Sequence, residues 1–580
     1  MRIENEKILL ISIDNPSAKV DIFIGFRKII VTFSVILRIY NYQFSIHPLE
    51  VQDLLKQYAA HPQVAALNTL LKNKTSRNIF LKGLNGSGAA MTIASLFSKR
   101  RGSYVCVLND LEDAGYFYHD LVQLTGGDGI YFFPSAYRRA IKYGHVDPAN
   151  EILRTEVLST LQDPTAPFII VTYPEALAEK VISREVLKEN TLKISVGERL
   201  DNMFVSDVLD EYGFEQVDYV YEPGQYAMRG SILDVFSFSY EFPYRIDFFG
   251  NEVETIRSFD VETQLSKEKL DSIYIVPEMT KGNRTNSSLL DSLPSETLLA
   301  SKDMAWVKER IGSIWNEEPI TGDEESFANI EQLRAKLITG EDFLHAALGF
   351  CRLHFGTRPT GIADATLTFS MEAQPIYHKN FDLVSESFHK YLEDGYTLYI
   401  LSDVEKQATR IRAIFEDRGD DIPFTSVNKT IHEGFADETL RVCLFTDHQL
   451  FDRFHKFNLK SDKARSGKLS LSLKELNQFT TGDYIVHIDH GVGQFGGLVR
   501  TEVNGKMQEA IRLIYQNNDI IFVSIHSLHK LSKYKGKDSG EPPKLSKLGT
   551  GAWEKMKERT KSKVKDIARD LILLYSKRKQ

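Results

Sequence analysis

The sequence contains few cysteines, and their spacing indicates none of the common cysteine-based architectures. Cys106, Cys351 and Cys443 are the three cysteines among 580 residues, and none belongs to a C-x-x-C pair. A disulfide framework needs several cysteines that can pair, and a cysteine zinc site needs closely spaced ligands. We therefore predict neither, and we expect the chain to function in a reducing cytoplasm.

Long hydrophobic runs are also lacking near the N-terminus. The apolar run at 29–37 follows Arg27 and Lys28 and ends before Arg38. It is much shorter than the roughly 20 apolar residues that a transmembrane helix needs. No small-residue cleavage site follows it, so a signal peptide is not indicated. We interpret residues 1–45 as an N-terminal extension, with a strand as the simplest account of the apolar run.

An excess of positive charge is absent from the chain as a whole. Lys and Arg number 71 against 79 Asp and Glu, which gives a net charge of −8. The whole molecule is therefore not a basic nucleic-acid binder. The exception is the segment 530–580, which has sixteen Lys and Arg and six Asp and Glu. Hydrophobic residues (42%) and charged residues (26%) have the proportions of a soluble globular protein.

The apolar pattern divides the chain into regions of different secondary structure. From 51 to 179, predicted helices alternate with predicted strands, which favours a parallel sheet with helical crossovers. The predicted helices of this region are 51–71, 89–98 and 174–179, and the predicted strands are 78–82, 104–108 and 168–172. Residues 219–259 are rich in aromatics and glycine turns, as is typical of antiparallel hairpins. Further along, the pattern predicts α/β strands at 396–403 and 440–446, a helix at 404–417, an all-β segment at 483–529 and one long amphipathic helix at 551–579.

The residues after the predicted strand at 78–82 have the outline of a phosphate-binding loop. Such loops follow the pattern G-x-x-x-x-G-K-[ST], in which the Lys neutralises phosphate charge and the hydroxyl binds magnesium. Gly83, Gly86 and Gly88 supply the glycine framework, but the next two residues are Ala89 and Ala90. We predict that the loop does not bind ATP productively, although its amides could hold an anion weakly. The alternative is a glycine turn that matches the motif by coincidence.

Two longer motifs give the sequence a specific family resemblance. Residues 221–230 read YEPGQYAMRG, followed by DVF at 234–236 and PYRIDFF at 243–249, and residues 481–493 read TGDYIVHIDHGVG. The first set resembles the UvrB-homology region of the bacterial transcription-repair coupling factors. The second resembles the start of their RNA-polymerase-interacting domain. The resemblance covers residues from about 46 to the end of the chain.

The resemblance implies that a module inserted in the UvrB-like region binds UvrA. The contact residues of the family, two arginines and a phenylalanine, correspond to Arg229, Arg245 and Phe249 here. Arginine and aromatic residues are frequent in interface hot spots, which is compatible with this role. The alternative is structural: the arginines pair with Asp234 and Asp247, and the phenylalanine belongs to the core.

The resemblance also implies that an all-β domain near the C-terminus binds the β subunit of RNA polymerase. The binding strand of the family has an apolar-x-apolar pattern, which Ile511, Arg512 and Leu513 match. We expect an edge strand, because such a strand can extend a sheet of the partner. The alternative is that Ile511 and Leu513 form the inward face of a small barrel and bind nothing. An alternation of period two fits both interpretations.

These observations predict an α/β multidomain protein. Its predicted parts are an N-terminal extension (1–45), a UvrB-like α/β domain with a degenerate phosphate loop (46–187 and 278–350), an inserted α+β module that binds UvrA (188–277), a further α/β domain (351–460), a linker (461–472), a small all-β domain of CarD/Tudor-like type that binds polymerase (473–545), and a long basic relay helix (546–580). The stretch that matches the damage-probing hairpin of UvrB, 131–147, is too short to form such a hairpin.

The function that the resemblance implies is transcription-coupled nucleotide excision repair. These residues would bind stalled RNA polymerase and recruit UvrA, whereas translocation on upstream duplex DNA would require ATP, magnesium and a separate motor. The sequence shows no second phosphate loop and no DExH-like element, so we predict no catalysis, cofactor or metal for these residues. We expect no membrane partner and a cytoplasmic, nucleoid-associated location. The alternatives are a UvrB-like damaged-DNA-binding ATPase and a stand-alone CarD-like transcription regulator.

Overall fold

A computed structural model describes residues 22–24, 27–29, 49–457, 459, 479–534 and 543–560, with short gaps in the longer ranges. The gaps are 138–139, 145, 164, 218–219, 221–222, 239, 261–264, 278–284, 320–328, 454, 504–505, 525–529 and 558. Three predicted parts lie wholly or mostly outside the described residues: the linker 461–472, the extension 1–45, and the helix 551–579 after residue 560.

Helices and strands are short and alternate along much of the chain. The strands, numbered in chain order, are β1 (Ile22–Ile24), β2 (Arg27–Ile29), β3 (Asn78–Lys82), β4 (Ser103–Val107), β5 (Ile130–Phe133), β6 (Phe168–Thr172), β7 (Val181–Ile182), β8 (Leu192–Ser195), β9 (Glu215–Gln216), β10 (Gln225–Arg229), β11 (Ile232–Phe236), β12 (Tyr244–Phe249), β13 (Glu252–Phe259), β14 (Ser266–Leu270), β15 (Ser272–Ile275), β16 (Thr285–Ser287), β17 (Leu298–Ser301), β18 (Cys351–His354), β19 (Ala365–Thr368), β20 (Met371–Ala373), β21 (Thr397–Leu401), β22 (Thr425–Val427), β23 (Phe435–Asp437), β24 (Val442–Thr446), β25 (Tyr484–His487), β26 (Gly491–Val503), β27 (Lys506–Ile514), β28 (Ile520–Ser524) and β29 (Leu531–Lys533). The helices are α1 (Val51–Ala59), α2 (Pro62–Asn73), α3 (Gly88–Lys99), α4 (Leu111–Thr125), α5 (Pro148–Thr160), α6 (Pro174–Ala178), α7 (Arg184–Glu189), α8 (Asn202–Glu211), α9 (Met304–Trp315), α10 (Ile330–Ala335), α11 (Gly340–Ala347), α12 (Phe381–Glu393), α13 (Glu405–Arg418) and α14 (Asp447–Leu450). Within the described residues, no helix is both long enough and apolar enough to cross a membrane.

Seven of the described strands form the parallel sheet of a first α/β unit, in the order β19-β3-β18-β17-β4-β6-β5. The predictions of strands at 78–82 and 168–172 are confirmed, because β3 and β6 have these bounds. β18 and β19 flank β3 on its two sides, so residues 351–368 belong to this sheet. The predicted domain start at residue 351 is therefore wrong, because the chain first returns to complete the sheet of the first unit.

The helix predicted at 51–71 is divided into α1 and α2. Pro62 takes the first position of α2, where its missing amide hydrogen costs no helical hydrogen bond. The ring Nδ1 of His61 accepts the amide hydrogen of Gln63 at 3.0 Å and so caps the second helix. The apolar spacing continues across the break because both helices bury one face in the same core.

The strands β9 to β14 form a separate six-stranded sheet, in the order β14-β13-β12-β11-β10-β9. One face of this sheet packs on α8 in a core that contains Leu209, Leu233 and Ile246, which are all fully buried. Alternate residues point to the second face. At one end, the second face buries Phe236 against Ile152 of α5. The other end of the second face carries the residues for which UvrA contact is predicted.

A second α/β unit contains a mixed five-stranded sheet, in the order β20-β23-β24-β21-β22. The strands predicted at 396–403 and 440–446 are present as β21 and β24. The apolar core of the first unit continues into this one, because Phe435 and Leu444 pack in the same cluster as Tyr58 of α1. The two α/β units are thus joined by a continuous apolar interface.

Residues 479–534 form a small antiparallel β-domain, in the order β28-β27-β26-β25-β29. Its core includes Ile485 and Phe495, which are buried. The chain that follows returns to this domain, where the indole nitrogen of Trp553 donates to the carbonyl oxygen of Ile488 at 2.9 Å. The predicted all-β segment is therefore confirmed as a compact unit.

Candidate functional site

The loop at 83–88 has the glycine pattern of a phosphate-binding loop and is named the phosphate-like loop; it lies between β3 and α3. The chain that leads into the second α/β unit packs directly against it. Gly83 and Gly86 have positive φ angles of 84° and 54°, a backbone region that favours glycine. A Cβ atom at Gly83 would collide with the carbonyl oxygen of Phe369. A Cβ atom at Gly86 would lie 2.7 Å from the carbonyl oxygen of Gly434. The close approach of these carbonyls requires both glycines, in addition to the turn itself.

The loop also uses its hydrogen-bonding groups within the protein. The amide of Ser87 donates to the carbonyl oxygen of Glu433 at 3.0 Å, and the amide of Glu433 donates to the Ser87 hydroxyl at 3.0 Å. A peptide carbonyl therefore engages an amide of the kind that cradles phosphate in nucleotide-binding loops. Ala89 and Ala90 lie in the first turn of α3, and Ala90 is buried. Neither supplies a charge or a hydroxyl at the positions where the motif needs them.

Asp120 of α4 extends this contact into a buried polar network. Its carboxylate accepts the amide hydrogen of His432 at 2.7 Å and a hydrogen bond from the Ser87 hydroxyl. Burial raises the pKa of Asp120 to about 7, and these two hydrogen bonds oppose the rise. The ring of His432 stacks on Tyr116 with centroids 3.4 Å apart, and Nε2 of His448 lies 2.8 Å from the carbonyl oxygen of His432. In the described part of the chain, no group of three or more His, Cys, Asp or Glu side chains could hold a metal ion.

In the six-stranded sheet, Arg229 and Arg245 share one buried carboxylate. Asp234 lies on β11, between the strands that carry the two arginines, and is 1% exposed. Nε and Nη2 of Arg245 donate to its two oxygens at 2.6 Å and 2.8 Å, and Nη2 of Arg229 donates to the same carboxylate. The guanidinium of Arg245 also lies over the ring of Phe259, 4.2 Å from its centroid. The hydrogen bond to Asp234 is the main cause of the raised pKa of Arg245.

The structural alternative for these residues holds only in part. Both arginines pair with Asp234, whereas Asp247 pairs with an arginine of β13 at 3.1 Å. Phe249 is 79% exposed, so its assignment to the core is wrong. The side chain of Arg229 is 34% exposed and that of Arg245 only 15%. The three residues lie on one face of the sheet, but Phe249 and Arg229 offer most of the surface that a partner could reach.

The predicted polymerase-binding strand is β27, and it lies inside its sheet. β27 pairs with β26 on one side and with β28 on the other, so the predicted edge position is wrong. Ile511 and Leu513 are fully buried in the core of the β-domain, as the alternative interpretation requires. Arg512 points to the outer face, where its Nε donates to the carbonyl oxygen of Gly496 at 3.0 Å.

The edge next to β27 is β28, which the sequence pattern did not single out. Its residues Ile520 and Phe522 are 49% and 50% exposed. They stand opposite Ile514 and Arg512 on the outer face. A signal was present in the sequence, where 520–523 reads Ile-Ile-Phe-Val: a strand with two apolar faces cannot bury both in a domain made of a single sheet. Alternation does not give strand order, so the pattern alone does not separate β27 from β28.

Comparison with known protein families gives a match to each of the two candidate binding regions. The sequence model described as the UvrB interaction domain matches residues 192–280, which include the six-stranded sheet and α8. The model described as the CarD-like/TRCF RID domain matches residues 479–535, which form the small β-domain. Both candidate sites thus lie within recognised domains.

Relatives that align over most of the chain carry one name. The transcription-repair-coupling factor of Bacillus subtilis (strain 168) is 24% identical over an alignment that covers 86% of this chain and 48% of that protein. The transcription-repair-coupling factor of Staphylococcus aureus (strain bovine RF122 / ET3-1) is 24% identical over an alignment that covers 86% of this chain and 49% of that protein. The chain spans about half the length of the curated relatives it matches. Over most of its length the chain is therefore similar to the transcription-repair-coupling factors, and parts of it match the models of a UvrB interaction domain and a CarD-like/TRCF RID domain.

Proposed function

We propose that this chain acts in transcription-coupled DNA repair as a scaffold with two protein-binding sites. The β-domain at 479–534 binds the β subunit of stalled RNA polymerase, and the module at 192–280 recruits UvrA for nucleotide excision repair. The observation that carries the proposal is the presence of both domains in one homologue of the transcription-repair-coupling factors. Upstream duplex DNA is engaged mainly by an ATP-driven motor outside these residues.

In the UvrA-binding site, Phe249 supplies an apolar anchor and Arg229 supplies charge. An aromatic side chain that is 79% exposed gains most when a partner buries it. Arg229 donates to Asp234 and keeps a third of its side chain accessible, so a second carboxylate can approach its guanidinium. Arg245 is mostly covered, so its role is to hold Asp234 in place and not to contact the partner. A protein surface with an apolar pocket beside an acidic side chain fits this site.

In the polymerase-binding site, a strand of the partner adds to β28. Among the strands that the structure describes, β28 pairs only with β27, so its outer edge can exchange main-chain hydrogen bonds with another strand. Ile520 and Phe522 supply side-chain contacts on the outer face, together with Arg512. Ile511 and Leu513 support this surface from the core beneath it.

In this proposal the phosphate-like loop joins the two α/β units and hydrolyses nothing. Its support is the missing Lys and hydroxyl at Ala89 and Ala90 and the carbonyl of Glu433 that engages the Ser87 amide. The competing function is a UvrB-like ATPase. Titration calorimetry with ATP and magnesium distinguishes the two: binding in the micromolar range would support the ATPase and contradict the scaffold.

A paired pull-down tests the two binding sites. The purified chain is immobilised and offered UvrA and RNA polymerase separately. Arg229→Ala combined with Phe249→Ala is expected to weaken UvrA binding at least tenfold and to leave polymerase binding unchanged. Ile520→Ser combined with Phe522→Ser is expected to do the reverse. Ile362→Ser, at a 93% exposed position of the first α/β unit, is the matched control. Loss of both partners in one variant, or of neither, contradicts the two-site assignment.

A further inference from the structure

Three segments of the UvrB interaction module meet at the end of its sheet that lies away from α5. These segments are the turn at 230–231, the turn at 250–251 and the stretch 197–204 that leads into α8. The amide of Phe248 donates to the carbonyl oxygen of Ser231 at 2.8 Å, and the amide of Leu200 donates to the carbonyl oxygen of Asn251 at 2.8 Å. These main-chain bonds hold the segments side by side at the end of the sheet, where the face that carries Phe249 and Arg229 meets the face on which α8 packs.

Large apolar side chains are exposed on this surface. Phe249 is 79% exposed, Met203 72% and Phe204 52%. Single exposed apolar residues are ordinary, but several large ones on adjacent segments mark an interaction site. Met203 and Phe204 belong to the first turn of α8, which Asp201 caps by accepting the amide hydrogen of Met203 at 2.9 Å. Val205 of the same turn is fully buried. The fold therefore anchors this turn and presents Met203 and Phe204 outward.

We propose that UvrA covers Met203 and Phe204 together with Phe249 and Arg229, and these four residues are named the tip surface. This inference rests on the proposed function of the module. Continuity argues for UvrA as the occupant, because the bond between Leu200 and Asn251 joins the first turn of α8 to the turn that carries Phe249. The matched UvrB interaction domain, 192–280, also contains all four residues. The tip surface thus consists of three exposed apolar side chains and one guanidinium around the end of the sheet, with Met203 and Phe204 on the α8 side and Phe249 and Arg229 on the other.

Titration of purified UvrA against the immobilised full chain tests this inference. Met203→Ser and, separately, Phe204→Ser are each expected to raise the Kd at least tenfold. Met203→Leu, which keeps the apolar volume, is expected to stay within about threefold of the unsubstituted chain. The matched control is Leu265→Ser, at a 69% exposed position of the same module next to the opposite end of β13. It is expected to change the Kd less than about twofold.

Two further measurements distinguish failure of this inference from failure of the proposed UvrA site. Phe249→Ala is titrated in the same series. If it weakens binding while the Met203 and Phe204 variants match the control, the inference is overturned and the proposed UvrA site stands. If the unsubstituted chain does not bind UvrA, both are overturned.

Oxidation of the unsubstituted chain by dilute peroxide avoids any risk of misfolded variants. UvrA is expected to slow sulfoxide formation at Met203 several-fold and to leave Met556, which is 50% exposed outside the module, unchanged. Equal oxidation of Met203 with and without UvrA overturns the inference.

Discussion

The UvrB interaction module and the small β-domain attract the same kind of prediction from sequence, yet they present the predicted residues in opposite ways. In each, the family resemblance assigns three contact residues to β-strands. In the module, Phe249 and part of Arg229 reach the surface. In the β-domain, Ile511 and Leu513 form the core. The difference follows from position in the fold. Phe249 is the last residue of its strand, next to a turn, whereas Ile511 and Leu513 lie within a strand that has a neighbour on each side, where alternating apolar residues suit a core as well as an interface.

An apolar pair on a strand therefore indicates a binding site only when the position of the strand in the sheet is known. β27 has a neighbour on each side, and β28 is an edge among the described strands. An exposed apolar residue on an edge strand combines open main-chain groups with contact area. We therefore rank Phe522 above Leu513 as a direct contact in the proposed polymerase-binding site.

Leu513→Arg tests the core assignment and has the largest expected effect. It forces a charge into a site that is fully buried, and we expect it to destabilise the β-domain by at least about 4 kcal/mol. The β-domain should then unfold, which circular dichroism and hydrogen exchange of β25–β28 would detect. Phe522→Ser is the matched variant, with loss of polymerase binding but retained exchange protection. A folded domain in the Leu513→Arg variant would contradict the core assignment and restore β27 as a contact strand.

Asp234→Ala tests the organisation of the module and is expected to destabilise it less than Leu513→Arg destabilises the β-domain. It leaves two guanidinium groups without their shared partner, and we expect a loss of about 3 kcal/mol. Asp247→Ala is the control on the same face, where a 19% exposed carboxylate pairs with one arginine. We expect it to cost about 1 kcal/mol or less. Hydrogen exchange of β10–β12 in urea measures both losses. Equal losses would show that Asp234 does not organise the site.

Asp120 is a polar group buried at the interface between the two α/β units. Burial raises the pKa of Asp120 from 3.8 to about 7. Because the folded pKa lies above the unfolded one, the stabilising contribution is complete below about pH 4 and is lost as the pH rises towards 7. In this window the free energy of unfolding falls by about 1.4 kcal/mol per pH unit. We expect Asp120→Asn to gain stability relative to the unsubstituted chain between pH 5 and pH 8, measured by urea unfolding. A constant difference would contradict this.

The contact between the β-domain and the second α/β unit is expected to contribute least. Nη2 of Arg500 lies 2.6 Å from Oδ1 of Asp452, and the two side chains are 44% and 26% exposed. Exposed ion pairs contribute about 0.2–1 kcal/mol and weaken in salt. A double-mutant cycle of Arg500→Ala and Asp452→Ala should give a coupling energy in that range. A coupling above about 2 kcal/mol would instead make this pair an important part of the domain arrangement.

The local sequence pattern was sufficient to predict individual helices and strands. It was not sufficient to predict which elements lie next to each other in the fold. The bounds of β3 and β6 follow from short apolar runs with polar flanks. The break at Pro62 was visible as a proline, but the apolar spacing on both sides concealed it. The place of β18 beside β3 depends on a chain that leaves the first sheet after β6 and returns only with β17. No local pattern encodes such a return.

The same limit applies to the candidate sites. The family resemblance points to Arg229, Arg245 and Phe249, but it does not show that two of them share Asp234. That arrangement depends on the register of three strands, in which Asp234 faces Ala227 on one side and Arg245 on the other. Register is a property of the assembled sheet, so the sharing of one carboxylate by both arginines became visible only in the structure.

Completing the phosphate-loop motif would not recreate a nucleotide site in this chain. Ala89→Lys with Ala90→Thr would spell the motif in full, yet the carbonyl of Glu433 would still engage the Ser87 amide. Phosphate oxygens could approach only if the second α/β unit withdrew. Withdrawal would open the apolar core that the two units share. Two substitutions would therefore restore the motif but not an open loop, because the second α/β unit covers it.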